Sequence, residues 1–280
     1  MFRFDARKGN QMWNTASKWG IFLKAFPYVI SVLAARYLVQ HVLEIKVAFN
    51  FGDISSILTA TTLIVALMLT GVLADYKESE KIPTTIARSL DAFDGAAWRG
   101  LDVVGQDGHW ARVRVYNIAE AVNSWLTGQC DDATMWKAQR DGSNIILEVE
   151  KQGAPFHYIQ RMMEVNSNLG SALARIQVIR DTSYIAPGYA LMELLVGAIM
   201  VMMTFIQFPA PYIEWPIAGA LTLLYAYLVL LVKDVDDPFE YGVDGQNTSA
   251  ADVDLSPFLR LMEDLRAVHG VQVDEAVEAH

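Results

Sequence analysis

Residues 54–74, ISSILTATTLIVALMLTGVLA, carry no formal charge over 21 positions and run straight into the charged segment DYKESEKIP. At about 1.5 Å per residue such a stretch is long enough to cross the roughly 30 Å hydrocarbon core of a bilayer. It is rich in hydroxyls for a helix that faces lipid. At about 100° per residue, Ser55, Thr59, Thr62, Ala66 and Thr70 share one narrow arc, flanked by Leu58 and Leu69. Ile57, Leu63, Ile64, Leu67, Met68 and Val72 lie away from it. A small, mildly polar stripe on a spanning helix suits either a water-lined pathway or a close helix–helix contact.

Three further apolar blocks repeat the pattern. The first span runs from about Phe22 to Leu43, interrupted by Lys24, Arg36 and His41; the third from about Ile185 to Phe208 with Glu193 inside; the fourth from about Ile217 to Val232, ending at Lys233. With 53% hydrophobic residues and a mean hydropathy of +0.23, the chain reads as an all-α integral membrane protein with a sizeable polar part. The first block has no small-residue cleavage site after it and precedes a second span, so it reads as a span and not as a removed signal.

The expected layout is an interfacial segment (1–20), a transmembrane hairpin (21–76), a helical cytoplasmic domain (77–184), a second hairpin (185–233) and an acidic tail (234–280). The opening segment mixes Arg3, Arg7, Lys8 and Lys18 with Phe2, Phe4, Trp13 and Trp19, which suits either headgroup-level docking or a partly disordered tail. The first 24 residues carry five bases, Arg3, Arg7, Lys8, Lys18 and Lys24, whereas Lys46 is the one base in the two connecting hairpins. By the positive-inside rule both termini lie in the cytoplasm, and the expected location is the inner (plasma) membrane.

Between the hairpins the pattern is mostly helical. Pro83 opens a helix that turns Ile86, Leu90 and Phe93 inward, Asn117–Thr127 and Asp132–Lys151 are short helices, and the glycine-rich stretch 100–115 reads as a loop or short hairpin. After Pro155, Ile159, Met162, Asn166, Leu169, Leu173 and Ile176 recur at spacings of three and four, either a seam for a partner helix or an ordinary intramolecular face.

Arg36 lies about 21 Å along its span, either deep in the bilayer or snorkelling outward beside Tyr37. Arg36 and Glu193 are candidates to neutralise one another, although Glu193 lies only about eight residues from the start of its own span.

The net charge of −10 belongs to the tail. From Asp234 onward there are twelve acids and two bases, leaving twenty of each in the rest. That balance argues against nucleic acid as a partner. No phosphate-binding glycine loop, GxSxG or HExxH motif is present, the five histidines are scattered, and Cys130 is the single cysteine, so neither catalysis nor a cofactor or metal is expected. The seven carboxylates of residues 233–254 offer oxygen ligands but lack EF-hand spacing, and read as a solvated tail.

Two motifs resemble the bestrophin superfamily: ALMLTGVLADYKESEKIP at the end of the second span, and DDPFEYG followed by DVDLSPFLRLMEDL after the fourth. The resemblance implies a homo-oligomeric, pentameric ion channel whose second span lines a narrow neck, with lipid, inorganic ions and copies of itself as partners. It places neck positions on Leu58, Thr62 and Ala66. There the chain departs from the family's bulky apolar neck, as it does at Ala74, Asp75 and Tyr76, where the family carries an arginine and paired tryptophans. A neck with Thr62 and Ala66 is expected to be wider or less able to dewet. Anion or cation selectivity stays open, and the calcium-binding clasp of animal members is not carried over. The alternative is a membrane-anchored scaffold or sensor that does not conduct and whose stripe packs helices.

Overall fold

The structure is a computed structural model that describes residues 6–43, 49–181, 186–208, 211–239, 241 and 251–269. Its elements, in order, are α1 (Ala6–Tyr37), a π-helical turn (Leu38–Val42), β1 (Phe49–Asn50), α2 (Phe51–Ser79), α3 (Ile82–Asp102), α4 (His109–Leu126), α5 (Asp132–Lys151) and α6 (Phe156–Asp181). There follow α7 (Ala186–Phe205), β2 (Ile206–Gln207), a 3-10 turn (Pro211–Ile213), α8 (Glu214–Asp236) and α9 (Ser256–His269). Glu240 and Asp244 of the acidic stretch, Lys46 and the acids beyond residue 269 lie outside the described residues, as do the side chains of the opening segment.

The chain divides into two units. The first holds residues 1–76, 183–238 and 249–251, hence α1, α7, α8 and most of α2. Val32 of α1, Val65, Met68 and Val72 of α2, Met192, Val196 and Ile199 of α7, and Tyr225 and Val232 of α8 form its core. Equally apolar side chains cover its outside: Leu23, Ile30, Leu63, Leu67, Leu194 and Val201 are all exposed. A unit that is apolar on both surfaces has lipid for a solvent, and four helices of the chain are long and apolar enough to cross it. The protein is a multi-pass membrane protein with an all-helical body. The single departure among the described residues is the parallel pairing of β1 with β2, Phe49 opposite Ile206 and Asn50 opposite Gln207.

The second unit holds residues 77–182, 239–248 and 252–280. Its core is the α3–α6 pair. Ile86, Leu90, Phe93 and Ala97 of α3 are buried, as are Ile159, Met162, Val165, Leu169, Leu173 and Ile176 of α6. The three-and-four spacing on α6 is therefore an intramolecular face. Its polar member, Asn166, is accommodated by α5. Gln139 donates to both its backbone and side-chain oxygens at 3.4 Å, and Gly142 is small enough to lie against its amide, which a Cβ there would overlap.

The stretch 100–115 is neither loop nor hairpin along most of its length. α3 continues to Asp102 and α4 starts at His109. Ala111, Val115, Ile118, Ala119 and Val122 recur at helical spacing and are buried, while Arg112 and Arg114 take partners on the flanks. Arg112 lies 3.9 Å over the Trp98 ring and 3.3 Å from Asp94, and Arg114 binds Asp141 and Glu148. Asp131 caps α5 through the Thr134 N–H at 3.0 Å. Arg180 donates to the Trp125 and Leu126 carbonyls at the end of α4 and to the Phe239 carbonyl at 2.9 Å, so it holds Phe239 in this unit.

Candidate pore-lining face

α2 has a packed side and an open side. Ile54, Thr61, Val65, Met68 and Val72 are buried, at the period of a helix. About 90–170° round the helix from that face, Ser55, Thr59, Thr62, Ala66 and Thr70 are exposed. Leu58 differs from the other five stripe residues: it is partly buried and packs against the core of the membrane unit. Next to the stripe, Leu63 and Leu67 make a second open strip, about 60% and 63% exposed. The uncovered half of α2 thus carries two chemistries side by side, hydroxyls and small groups on one strip and leucines on the other.

The stripe hydroxyls are bonded to their own helix. Ser55 donates to Gly52 O, Thr59 to Ser55 O, Thr62 to Leu58 O and Thr70 to Ala66 O, all at 2.8–2.9 Å. A hydroxyl that closes on the carbonyl one turn back leaves no unmet donor, so the stripe tolerates an apolar as well as a wet neighbour. Among the described residues one side chain of another helix hydrogen-bonds to it. The Tyr225 hydroxyl of α8 lies 2.8 Å from the Thr62 hydroxyl and 3.0 Å from Leu58 O, tying the middle of α2 to α8. Tyr225 was not among the residues singled out from sequence; a tyrosine in the middle of an apolar span was the available sign. Thr61, one residue away on the packed side, is fully buried with its hydroxyl unbonded.

The intramembrane charges take partners other than the expected ones. Arg36 is fully buried, and its guanidinium donates to Met203 O at 2.6 Å and Ile206 O at 2.8 Å and meets Glu214 at 2.6 Å. The rings of Phe208 and Trp215 each lie 5.9 Å from its centre. Arg36 therefore closes the C-terminal end of α7, where carbonyls lack helical donors and the helix dipole is negative, and pairs with the first residue of α8. Glu193 is half-exposed and bonds Lys233 of α8 at 2.6 Å. The expected Arg36–Glu193 pair does not form, because Glu193 lies near the start of α7 and Arg36 at its end. Glu214, flanked by the interfacial aromatics Tyr212 and Trp215, is the partner the sequence reading passed over.

Among the described residues no three His, Cys, Asp or Glu side chains are grouped to hold a metal ion. No sequence family and no curated protein matches the chain. Solved structures do. A bacterial bestrophin homologue from Klebsiella pneumoniae superimposes with a TM-score of 0.71, covering 89% of this chain and 98% of that one at 11% sequence identity. One point variant of it gives 0.70 with 89% and 99% coverage at 11% identity, and another 0.71 with 89% and 98% at 12%. With so few residues in common it is the architecture that is shared, and the chain has the bestrophin-like fold.

Proposed function

We propose that the chain is the subunit of a homo-oligomeric, pentameric ion channel in the inner (plasma) membrane, with both termini cytoplasmic, α2 lining the pore and the helical unit 77–184 forming a cytoplasmic vestibule. The observation that carries this reading is the open hydroxyl-bearing face of α2, which the described residues leave exposed apart from the bond to Tyr225. In a ring, Ser55, Thr59, Thr62, Ala66 and Thr70 face the axis, Leu58 sits at the margin, and Leu63 and Leu67 meet lipid or the next subunit. The likeness to a bacterial bestrophin homologue supports a ring, since the superfamily resemblance in the second span and in the Pro-Phe segment implies one.

The test is cysteine modification during flux. In a Cys130→Ser background, single cysteines at Thr59, Ala66 and Thr70 are exposed to a water-soluble thiol reagent in liposomes loaded with potassium chloride. Modification at these three positions reduces ion flux, and modification at Leu63 and Leu67 does not. The absence of flux from the unmodified protein, or protection of all three stripe cysteines, overturns the channel reading and favours a non-conducting scaffold whose stripe is packed.

A further inference from the structure

The second unit carries a basic groove that neither the channel reading nor the fold explains. It lies between α3 and α6, encloses about 560 Å³, and is lined by Lys81, Arg88, Arg161 and Arg175 with Glu78 as the one acid and Asn168 as a further donor. In a chain of net charge −10, four bases against one acid in a single groove is a strong local inversion. Helical spacing explains the alignment. Lys81 and Arg88 are seven residues apart on one side of α3, and Arg161, Asn168 and Arg175 recur every seven residues along α6.

Only part of this charge is spent within the chain. Glu78 takes two bonds from Arg175, at 3.1 and 2.8 Å, and so neutralises one end. Arg161 is paired with Glu164 at 2.9 Å, but both are more than half exposed, a pairing that water and salt loosen. Lys81 and Arg88 are exposed and form no ion pair among the described residues. Asp91 and Glu80 are the nearest acids in sequence on this part of the chain, and neither lines the groove. Arginine forks and an amide lining one groove of ligand size suit phosphoryl oxygens, which accept paired hydrogen bonds and carry more than one charge.

We propose that this groove binds a small phosphorylated anion with at least two phosphoryl groups, gripped by Arg88, Arg161 and Lys81 with Asn168 as a neutral donor. The proposal is independent of the channel reading, because binding is measured without flux.

The probe is inorganic pyrophosphate, titrated calorimetrically into full-length protein in phosphatidylcholine nanodiscs. Pyrophosphate binds at low ionic strength, orthophosphate binds more weakly, and affinity falls as salt rises. Arg88→Gln and Arg161→Gln each weaken binding about tenfold, and Lys137→Gln on α5, outside the groove, leaves it unchanged. Circular dichroism confirms that these surface variants stay folded. No heat with pyrophosphate, binding that the Arg88→Gln/Arg161→Gln double variant retains, or heat only with soluble dioctanoyl phosphatidylinositol bisphosphate would overturn the assignment, the last outcome reassigning the groove to a lipid headgroup.

Discussion

Arg36 and Glu214 offer a quantitative test of how the membrane unit is held together. The Arg36 side chain is 0% exposed and that of Glu214 16%, whereas Glu193 and Lys233 are each 50% exposed at the same 2.6 Å separation. Distance is equal in the two pairs, so burial and the further partners of Arg36 set their energies apart. Removing one partner of a buried pair strands the other charge and costs about 3–5 kcal/mol. Glu214→Gln leaves the guanidinium two carbonyls and two aromatic faces, which places its cost near the low end, about 3 kcal/mol. Arg36→Met removes the charge but takes the donors from Met203 O and Ile206 O, at about 1–3 kcal/mol each, and so costs at least as much. In the double variant no charge is stranded, and the two losses fall short of additivity by about 2–3 kcal/mol. The same cycle on Lys233→Gln and Glu193→Gln yields about 1 kcal/mol or less. Reversible unfolding in mixed micelles, followed by tryptophan fluorescence, measures both cycles. A loss below about 1 kcal/mol for Glu214→Gln, equal coupling in the two pairs, or coupling between Arg36 and Glu193 would refute the reasoning.

Three further outcomes follow from other sites. Thr61→Val replaces a buried, unbonded hydroxyl with a methyl of similar shape, and raises stability by about 1 kcal/mol in the same unfolding assay. The Arg114 hydrogen bond holds the Asp141 carboxyl below its ordinary range, with partial burial opposing and Asn144 assisting. Its contribution is therefore complete above the unfolded value of about 3.9 and is lost as pH falls through the lower folded value; Arg114→Gln flattens that acid limb in urea titrations. Gly142→Ala pushes a methyl into the Asn166 amide and lowers the midpoint of unfolding by an amount worth about 1 kcal/mol, and Asn166→Ala in that background restores it.

What was legible in the sequence was whatever depends on one helix at a time. Four apolar blocks announced four spans, Pro83 and Pro155 marked helix starts close to the observed α3 and α6, and the face of Ile159, Met162, Leu169 and Ile176 was read correctly as a packing surface. What depends on which helices meet was not. Arg36 finds Glu214 only because α1, α7 and α8 are brought together, and no spacing along the chain encodes that approach. Gly100, Gly105 and Gly108 suggested a break over 100–115, yet only the connection between Asp102 and His109 departs from helix. The buried run from Ala111 to Val122 outweighed the glycines, because a helix gains more from covering an apolar face than a flanking glycine removes. The stripe on α2 was found from angular periodicity alone, but the inward lean of Leu58 and its carbonyl's bond to Tyr225 were set by a neighbouring helix.

The back-bonded hydroxyls of α2 also fix the polarity of the face they form. Ser55, Thr59 and Thr70 each direct their hydroxyl to a carbonyl behind it, while Thr62 shares its hydroxyl between Leu58 O and the Tyr225 hydroxyl. What points outward at Ser55, Thr59 and Thr70 is therefore an oxygen with free lone pairs. Any donor brought against this face, from water or from a neighbouring helix, finds an acceptor at these positions.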